Sequence, residues 1–244
     1  MKLGFWYSDM IRFMEDASEY GNYYEQLVQK MLPHLSPDTH ICDAGSGIGY
    51  LSLALSPHVR QVTAVEKHPD AAAVLARNCS SRKIANVISR CGGIDETVPA
   101  EPYNAMVFCF FGGSHQILNL AKQQCSGDIF VFTRNYTHHR FSAGSLPSGW
   151  EGYPELRALL EAKKIPFRQE TFCLEFGQPF RNLSDAKLFF QLYSKDSDKS
   201  LLTDEFLKGK LQETGRADFP LYLPQGKQLA FLHFSVKDIP EDFE

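Results

Sequence analysis

What this sequence lacks excludes several classes of protein. Its six cysteines, Cys42, Cys79, Cys91, Cys109, Cys125 and Cys173, include no CxxC pair. Several of them sit in apolar strand-like runs, where cysteine behaves as a small buried hydrophobe, so a reduced, cytoplasmic protein is expected. Long hydrophobic runs are missing too. The longest, Ala105 to Phe111, falls far short of the roughly 20 residues of a membrane helix. The first ten residues carry Lys2, Ser8 and Asp9 and make a poor signal peptide, so no membrane partner is expected. Nor is there an excess of positive charge. With 25 Lys and Arg against 29 Asp and Glu the net charge is −4, which disfavours nucleic acid as a partner. No internal repeat or low-complexity tract interrupts the 244 residues, and 43% hydrophobic composition supplies a real core, excluding a mainly disordered chain.

What is present is an alternation of two periodicities. Short β-rich runs occur at His40–Asp43, Gln61–Val65, Asn86–Cys91, Asn104–Phe111 and Asp128–Thr133, and helix-compatible stretches lie between them at Tyr50–Leu55, Asp70–Ser80 and Ser114–Gln124. Strand alternating with helix is the pattern of a parallel sheet covered on both faces. The runs Ala105–Phe111 and Ile129–Phe132 are continuously apolar, as central strands buried on both sides require. Pro69 suits the first turn of a helix, and Ser56-Pro57 closes the one before it. Further along, helices are predicted over Tyr153–Lys164, Ser184–Tyr193 and Thr203–Thr214, and strands over Phe167–Phe176 and Gln228–Val236. Near the start, Ser18–Leu32 reads as a helix carrying Tyr20, Tyr23 and Tyr24.

The most informative stretch is Ile41-Cys42-Asp43-Ala44-Gly45-Ser46-Gly47-Ile48-Gly49-Tyr50. An apolar strand runs into three alternate glycines and out into a helix. Glycines there permit tight turning and let a ligand approach the backbone. The helix that follows aims its unpaired N–H groups and positive dipole end into the same space. Glu66 stands at the end of the next strand, where a carboxylate can accept two hydrogen bonds from a ribose diol.

Two ligand classes fit such a turn. A dinucleotide fingerprint is GxGxxG; here the spacing is Gly45-x-Gly47-x-Gly49 with Asp43 two residues ahead. This resembles motif I of the class I S-adenosylmethionine-dependent methyltransferases, D-x-G-x-G-x-G, at every fixed position, and Glu66 matches that family's acidic residue after the second strand. The resemblance runs from about Ser36 to Asn135, with an approximate fourth-strand motif; beyond that it is only a general likeness to small-molecule methyltransferases. It implies an α/β fold, a seven-stranded, mostly parallel Rossmann-like sheet with helices on both faces and an antiparallel last strand. The organisation expected is an N-terminal helical lid over residues 1–35, with core packing the alternative for its aromatic stripe, and a methyltransferase domain over 36–244 with helical insertions near 138–165 and 181–215.

The implied cofactor is S-adenosyl-L-methionine. By position, Asp43, Gly45 and Gly47 line its methionine half, Gly49 is a further cofactor-binding residue, Glu66 holds the ribose, and Lys67 or His68 borders the adenine. Gly93, Ile94 and Asp95 fall where the family makes adenine contacts, although many members carry an acidic residue near the place of Gly93. Phe110, Phe111 and Gly112 are implied beside the sulfonium, and Tyr20 folds over the cofactor if the N-terminal helix is a lid.

The acceptor pocket is expected in the loops after the strands. Phe110-Phe111-Gly112-Gly113-Ser114-His115 does not match the (Asn/Asp)-Pro-Pro-(Tyr/Phe) pattern of enzymes acting on adenine or glutamine amides. It also has no aspartate for a magnesium ion, so no metal is expected. His115, His138 and Tyr136 are the candidate catalytic groups, histidine being suited to take a proton near neutral pH. The bland alternative for His115 and His138 is a solvent-facing loop residue. Arg134 and Trp150 are further candidates for orienting or covering an acceptor. The function expected is methyl transfer to a small-molecule acceptor by in-line displacement, in a monomer or homodimer. An RNA or protein methyltransferase and a non-catalytic cofactor-binding module are the alternatives.

Overall fold

The structure, a computed structural model, describes residues 8–136, 141, 143 and 151–243. In chain order the helices are α1 (Ser8–Tyr20), α2 (Tyr23–Met31), α3 (Tyr50–Leu55), α4 (Pro69–Ser81), α5 (Ser114–Gln124), α6 (Tyr153–Ala162), α7 (Leu183–Tyr193) and α8 (Asp204–Lys210). The strands are β1 (His40–Ala44), β2 (Gln61–Glu66), β3 (Val87–Cys91), β4 (Tyr103–Cys109), β5 (Cys125–Arg134), β6 (Arg168–Glu175), β7 (Gln178–Phe180), β8 (Gln212–Glu213), β9 (Leu221–Leu223) and β10 (Gly226–Ser235). Seven of these form one sheet in the order β3-β2-β1-β4-β5-β10-β6. The pairs β2–β3, β1–β2, β1–β4 and β4–β5 are parallel, and β10 runs antiparallel to β5. The expected sheet, with its antiparallel last strand, is therefore present.

The strands form where the apolar runs predict them because both faces of the central sheet are covered. Met106, Val107 and Phe108 on β4 and Ile129, Phe130 and Phe132 on β5 have no exposed surface. One large apolar cluster joins these strands to Ile117, Leu118 and Leu120 of α5 and Leu156 and Leu160 of α6. Burying a side chain of that size contributes about 1.5–3 kcal/mol each. Pro69 occupies the first turn of α4 as its missing N–H allows.

Local departures from the sequence reading have identifiable causes. The stretch Ser18–Leu32 is two helices, broken at Gly21-Asn22, where a flexible residue and a side chain that competes for the backbone interrupt the ladder. Helix α8 starts where Thr203 Oγ1 accepts the Phe206 N–H (3.2 Å), but it ends at Lys210, short of the expected Thr214. Gln212 and Glu213 instead pair with Tyr222 and Leu221 as strand β8. Strand β4 stops at Cys109 because Phe110 takes a left-handed φ of 56°. Strands β7, β8 and β9 are too short to show a periodicity.

By their internal contacts the residues divide into two compact units. The larger comprises Tyr24–Asn135, Trp150–Phe172 and Gln228–Glu244; the smaller comprises Met1–Tyr23, Tyr136–Gly149 and Cys173–Lys227. The smaller has its own core, in which Phe13, Phe180, Phe189 and Phe190 meet Leu202, Leu207 and Leu223. Its three-stranded sheet, β7-β9-β8, is antiparallel. Among the described residues no helix is long and apolar enough to cross a membrane.

Candidate functional site

Register places the chemistry. Ala44 pairs with Val65 and with Phe108, and Glu66 pairs with Cys91, so β1, β2, β3 and β4 end along one edge of the sheet. Gly45, Glu66, Gly92 and Phe110 therefore leave their strands side by side.

The glycine turn is built as its spacing requires. Gly45, Gly47 and Gly49 have φ of 69°, 56° and 82°, a region costly for any residue with a Cβ. Space is limiting as well. A Cβ on Gly45 would come within 2.2 Å of the Phe111 ring, and one on Gly49 within 2.4 Å of the Leu75 side chain. The turn closes with Ser46 N–H donating to the Val65 carbonyl (3.0 Å) and Gly49 N–H to the Ser46 carbonyl (2.9 Å).

Two carboxylates flank the turn. Asp43 is almost fully buried, and its Oδ2 accepts the Ser52 hydroxyl at 2.6 Å. Burial is the main cause that pushes its carboxyl up to about 6, with the neighbouring Glu66 charge adding to the rise and the Ser52 hydrogen bond opposing it. Glu66 is also buried, and it staples two loops. Its Oε2 accepts the Gly47 N–H (3.0 Å), and its Oε1 accepts the His68 N–H (2.8 Å). Each oxygen keeps a second lone pair for a donor from a ligand.

Residues after β3 join the same edge. Gly92 N–H donates to the Glu66 carbonyl (3.0 Å). Ile94 is buried in the core, and its carbonyl accepts Gln124 Nε2 at 2.8 Å, so it offers a ligand little side-chain surface. Gly93 lacks a carboxylate of its own, but the Glu96 carboxyl group lies 3.3–3.4 Å from where a Gly93 Cβ would be. An acidic group thus reaches that spot from three residues along the chain. Lys67 and Asp95 are exposed.

At the end of β4, Phe110 is 41% exposed, an unusual state for a phenylalanine beside a buried core, while Phe111 packs against that core. His115 lies exposed in the first turn of α5, its ring stacked on Phe243 at 5.9 Å. The Glu151 carboxylate caps this helix, accepting the Ser114 N–H (2.7 Å) and hydroxyl (2.9 Å). Those bonds hold the Glu151 carboxyl below its usual range. Arg134 donates to the Glu151 carbonyl at 2.6 Å.

The larger unit thus brings together Asp43, Gly45, Gly47, Gly49, Glu66, Phe111 and the Gly93 segment. Tyr20 and Tyr136 belong to the smaller unit. Tyr20 stacks there on Tyr222 at 4.9 Å. His138 lies outside the described residues, as do His139 and Trp150. Among the described residues no group of three or more His, Cys, Asp or Glu could hold a metal. Sequence reasoning missed Ser52, although a hydroxyl inside the otherwise apolar helix Tyr50-Leu51-Ser52-Leu53-Ala54-Leu55 was a legible signal. It also missed Glu96, a local contact of Gly93 three residues along, and Glu151, for which only tertiary contact provides the clue.

No family model matches the chain, and no curated protein matches it. Solved structures do match in fold. A Bacillus halodurans C-125 protein assigned as a methyltransferase superposes with a TM-score of 0.57 at 13% identity, over 88% of this chain and 99% of that one. A precorrin-6y C5,15-methyltransferase from Geobacter metallireducens GS-15 gives 0.51 at 12% identity over 86% and 87%. A geranyl diphosphate C-methyltransferase from Streptomyces coelicolor A3(2), solved with Mg2+, geranyl diphosphate and S-adenosyl-L-homocysteine, gives 0.50 at 11% over 87% and 78%. The chain therefore has the seven-stranded, Rossmann-like fold of the class I methyltransferases.

Proposed function

We propose that the larger unit binds S-adenosyl-L-methionine at the glycine turn and that the protein transfers its methyl group to a small-molecule acceptor. One observation carries this reading: three left-handed glycines and the buried Glu66 carboxylate meet at one sheet edge, with Glu66 tied to the turn itself. The residues fit the cofactor. The left-handed glycines make a tight backbone turn for the methionine half to approach, with Phe111 and Leu75 packed behind Gly45 and Gly49. Glu66 accepts the ribose hydroxyls with its remaining lone pairs, at the switch point where such sheets bind nucleosides. Lys67, Gly93 and the Ile94 backbone border the adenine, and Glu96 supplies an acceptor there. Phe110 gives an apolar wall beside the methyl. The likeness in fold to methyltransferases supports the same reading.

The cofactor's sulfonium supplies an activated methyl with its own leaving group. What remains for the chain is alignment and exclusion of water. Favourable alignment lowers such barriers by as much as roughly 7–11 kcal/mol. A soft or ionised acceptor needs no base. For a protonated one, His115 is the exposed imidazole at the first turn of α5, and His138 and Tyr136 stay proposed as acceptor-side groups. The acceptor is taken as a small molecule because a net charge of −4 gives no field for a polyanion.

The test is transfer of label from methyl-labelled cofactor into a metabolite extract, with RNA and protein fractions run alongside. Label in the small-molecule fraction is expected, with His115→Ala lowering turnover more than cofactor affinity. Label only in RNA or protein moves the substrate class, and label in none of them leaves a binding module.

A further inference from the structure

The smaller unit carries a cavity of about 290 Å³, at the low end of ligand sites, and none of the chemistry above uses it. Its walls are aromatic: Tyr20, Tyr23, Phe176 and Tyr222 line it, with Glu175 as the one charged lining residue. The rings form two pairs, Tyr20 with Tyr222 at 4.9 Å and Tyr23 with Phe176 at 4.2 Å.

The carboxylate is held in place. Its Oε1 accepts both the Tyr222 hydroxyl (2.7 Å) and the Gln225 N–H (2.7 Å). Oε2 keeps its lone pairs for an incoming donor. Tyr222 donates to Glu175 and accepts the Gly177 N–H at 3.2 Å, so the phenol is fixed as well. Aromatic walls beside an oriented carboxylate favour a flat apolar body that carries a donor, and the Asn22 amide and the tyrosine hydroxyls add polar edges to the same lining.

Charge narrows the ligand further. Aromatic rings with a carboxylate can hold an organic cation. Here, though, the chain's own cations already lie against these rings: the Arg216 guanidinium is 4.8 Å from the Tyr20 ring, and the Lys227 ammonium is 5.3 Å from both Tyr23 and Phe176. Arg216 is paired with Asp218 (2.6 Å), so the like charge a second cation meets comes mainly from Lys227; a neutral aromatic meets none. We propose that this cavity binds a small neutral aromatic molecule, of one ring or two fused rings, that presents an O–H or N–H to Glu175. The claim concerns binding alone and is independent of methyl transfer.

Gly21 offers a clean block. It lines the cavity, a Cβ on it would meet nothing within 4 Å, and its φ is not positive, so Gly21→Leu fills space without straining the backbone. The experiment is ligand-observed saturation-transfer NMR on the full chain without cofactor, using phenol, indole, anisole, benzoate and choline as probes. Phenol and indole are expected to bind and anisole to bind weakly. Glu175→Gln turns a donor toward the ligand and is expected to weaken phenol by about tenfold or more, the effect of losing a hydrogen bond to a charged group. Gly21→Leu is expected to abolish the signal with the circular dichroism spectrum unchanged. Binding of choline or benzoate in place of phenol overturns the proposal. So does anisole equal to phenol, or phenol binding that survives both substitutions.

Discussion

Asp43 shows how a single carboxyl can work against the fold that contains it. Its native pKa lies near 6, above the ordinary value of 3.8, because burial penalises the charge. Between those values the native state binds more protons than the unfolded one, so its contribution to stability falls as pH rises from about 4 to 6 and stays flat above. At neutral pH that penalty is about 2 to 3 kcal/mol at most. Asp43→Asn, which still accepts the Ser52 hydroxyl, is predicted to lose less stability than the wild type between pH 4 and 6, measured by urea unfolding across that range. Identical pH profiles would refute it. Gly49 makes the opposite kind of claim, steric rather than electrostatic. Gly49→Ala is predicted to destabilise by about 1–3 kcal/mol, since a left-handed φ and the Leu75 side chain both oppose a methyl. An unchanged midpoint of denaturation would mean the turn relaxes freely.

Among the elements, α5 owes its start to a residue 37 positions away in sequence. Glu151→Ala removes the acceptor from the Ser114 N–H and hydroxyl and is predicted to cost about 0.5–2 kcal/mol, the usual range for a lost helix cap. Because the native Glu151 carboxyl is held low, this support is fully present above the ordinary carboxylate value and is lost as pH falls below it, through the lowered native value. The variant and the wild type should therefore converge in stability at low pH, and a constant gap would contradict the assignment. The elements of the sheet were legible because burial on both faces writes itself into apolar runs such as Ala105–Phe111. Helix ends and three-residue strands were not legible. The break at Gly21-Asn22 rests on a two-residue interruption that an amphipathic stretch masks, and β8 is a two-residue strand defined only by its pairing with Tyr222 and Leu221. At the sheet edge, Asp43, the glycines and Glu66 could be read from spacing, because a tight glycine turn constrains the backbone locally. Glu96 and Glu151 could not: the three-residue loop that turns Glu96 back on Gly93 has no distinctive spacing, and only folding brings Glu151 to Ser114.

At the scale of the molecule, two cores imply two partly separable stabilities. Phe189 is central to the smaller one, meeting Phe13, Phe180 and Phe190 edge to face. Phe189→Ala is predicted to cost that core about 3–5 kcal/mol. Hydrogen exchange should rise across α7 and β9, while amides of β1, β4 and β5 keep their protection; uniform loss everywhere would show one cooperative core. Methyl transfer requires the turn between Asp43 and Glu66 to receive an adenosyl sulfonium compound. Titration calorimetry with S-adenosylhomocysteine and with NAD, on the wild type and on Glu66→Gln, addresses that directly. The prediction is saturable binding of S-adenosylhomocysteine, weakened about tenfold or more in the variant by loss of charge-assisted hydrogen bonds, and no heat from NAD. Binding of NAD with none of S-adenosylhomocysteine would contradict it.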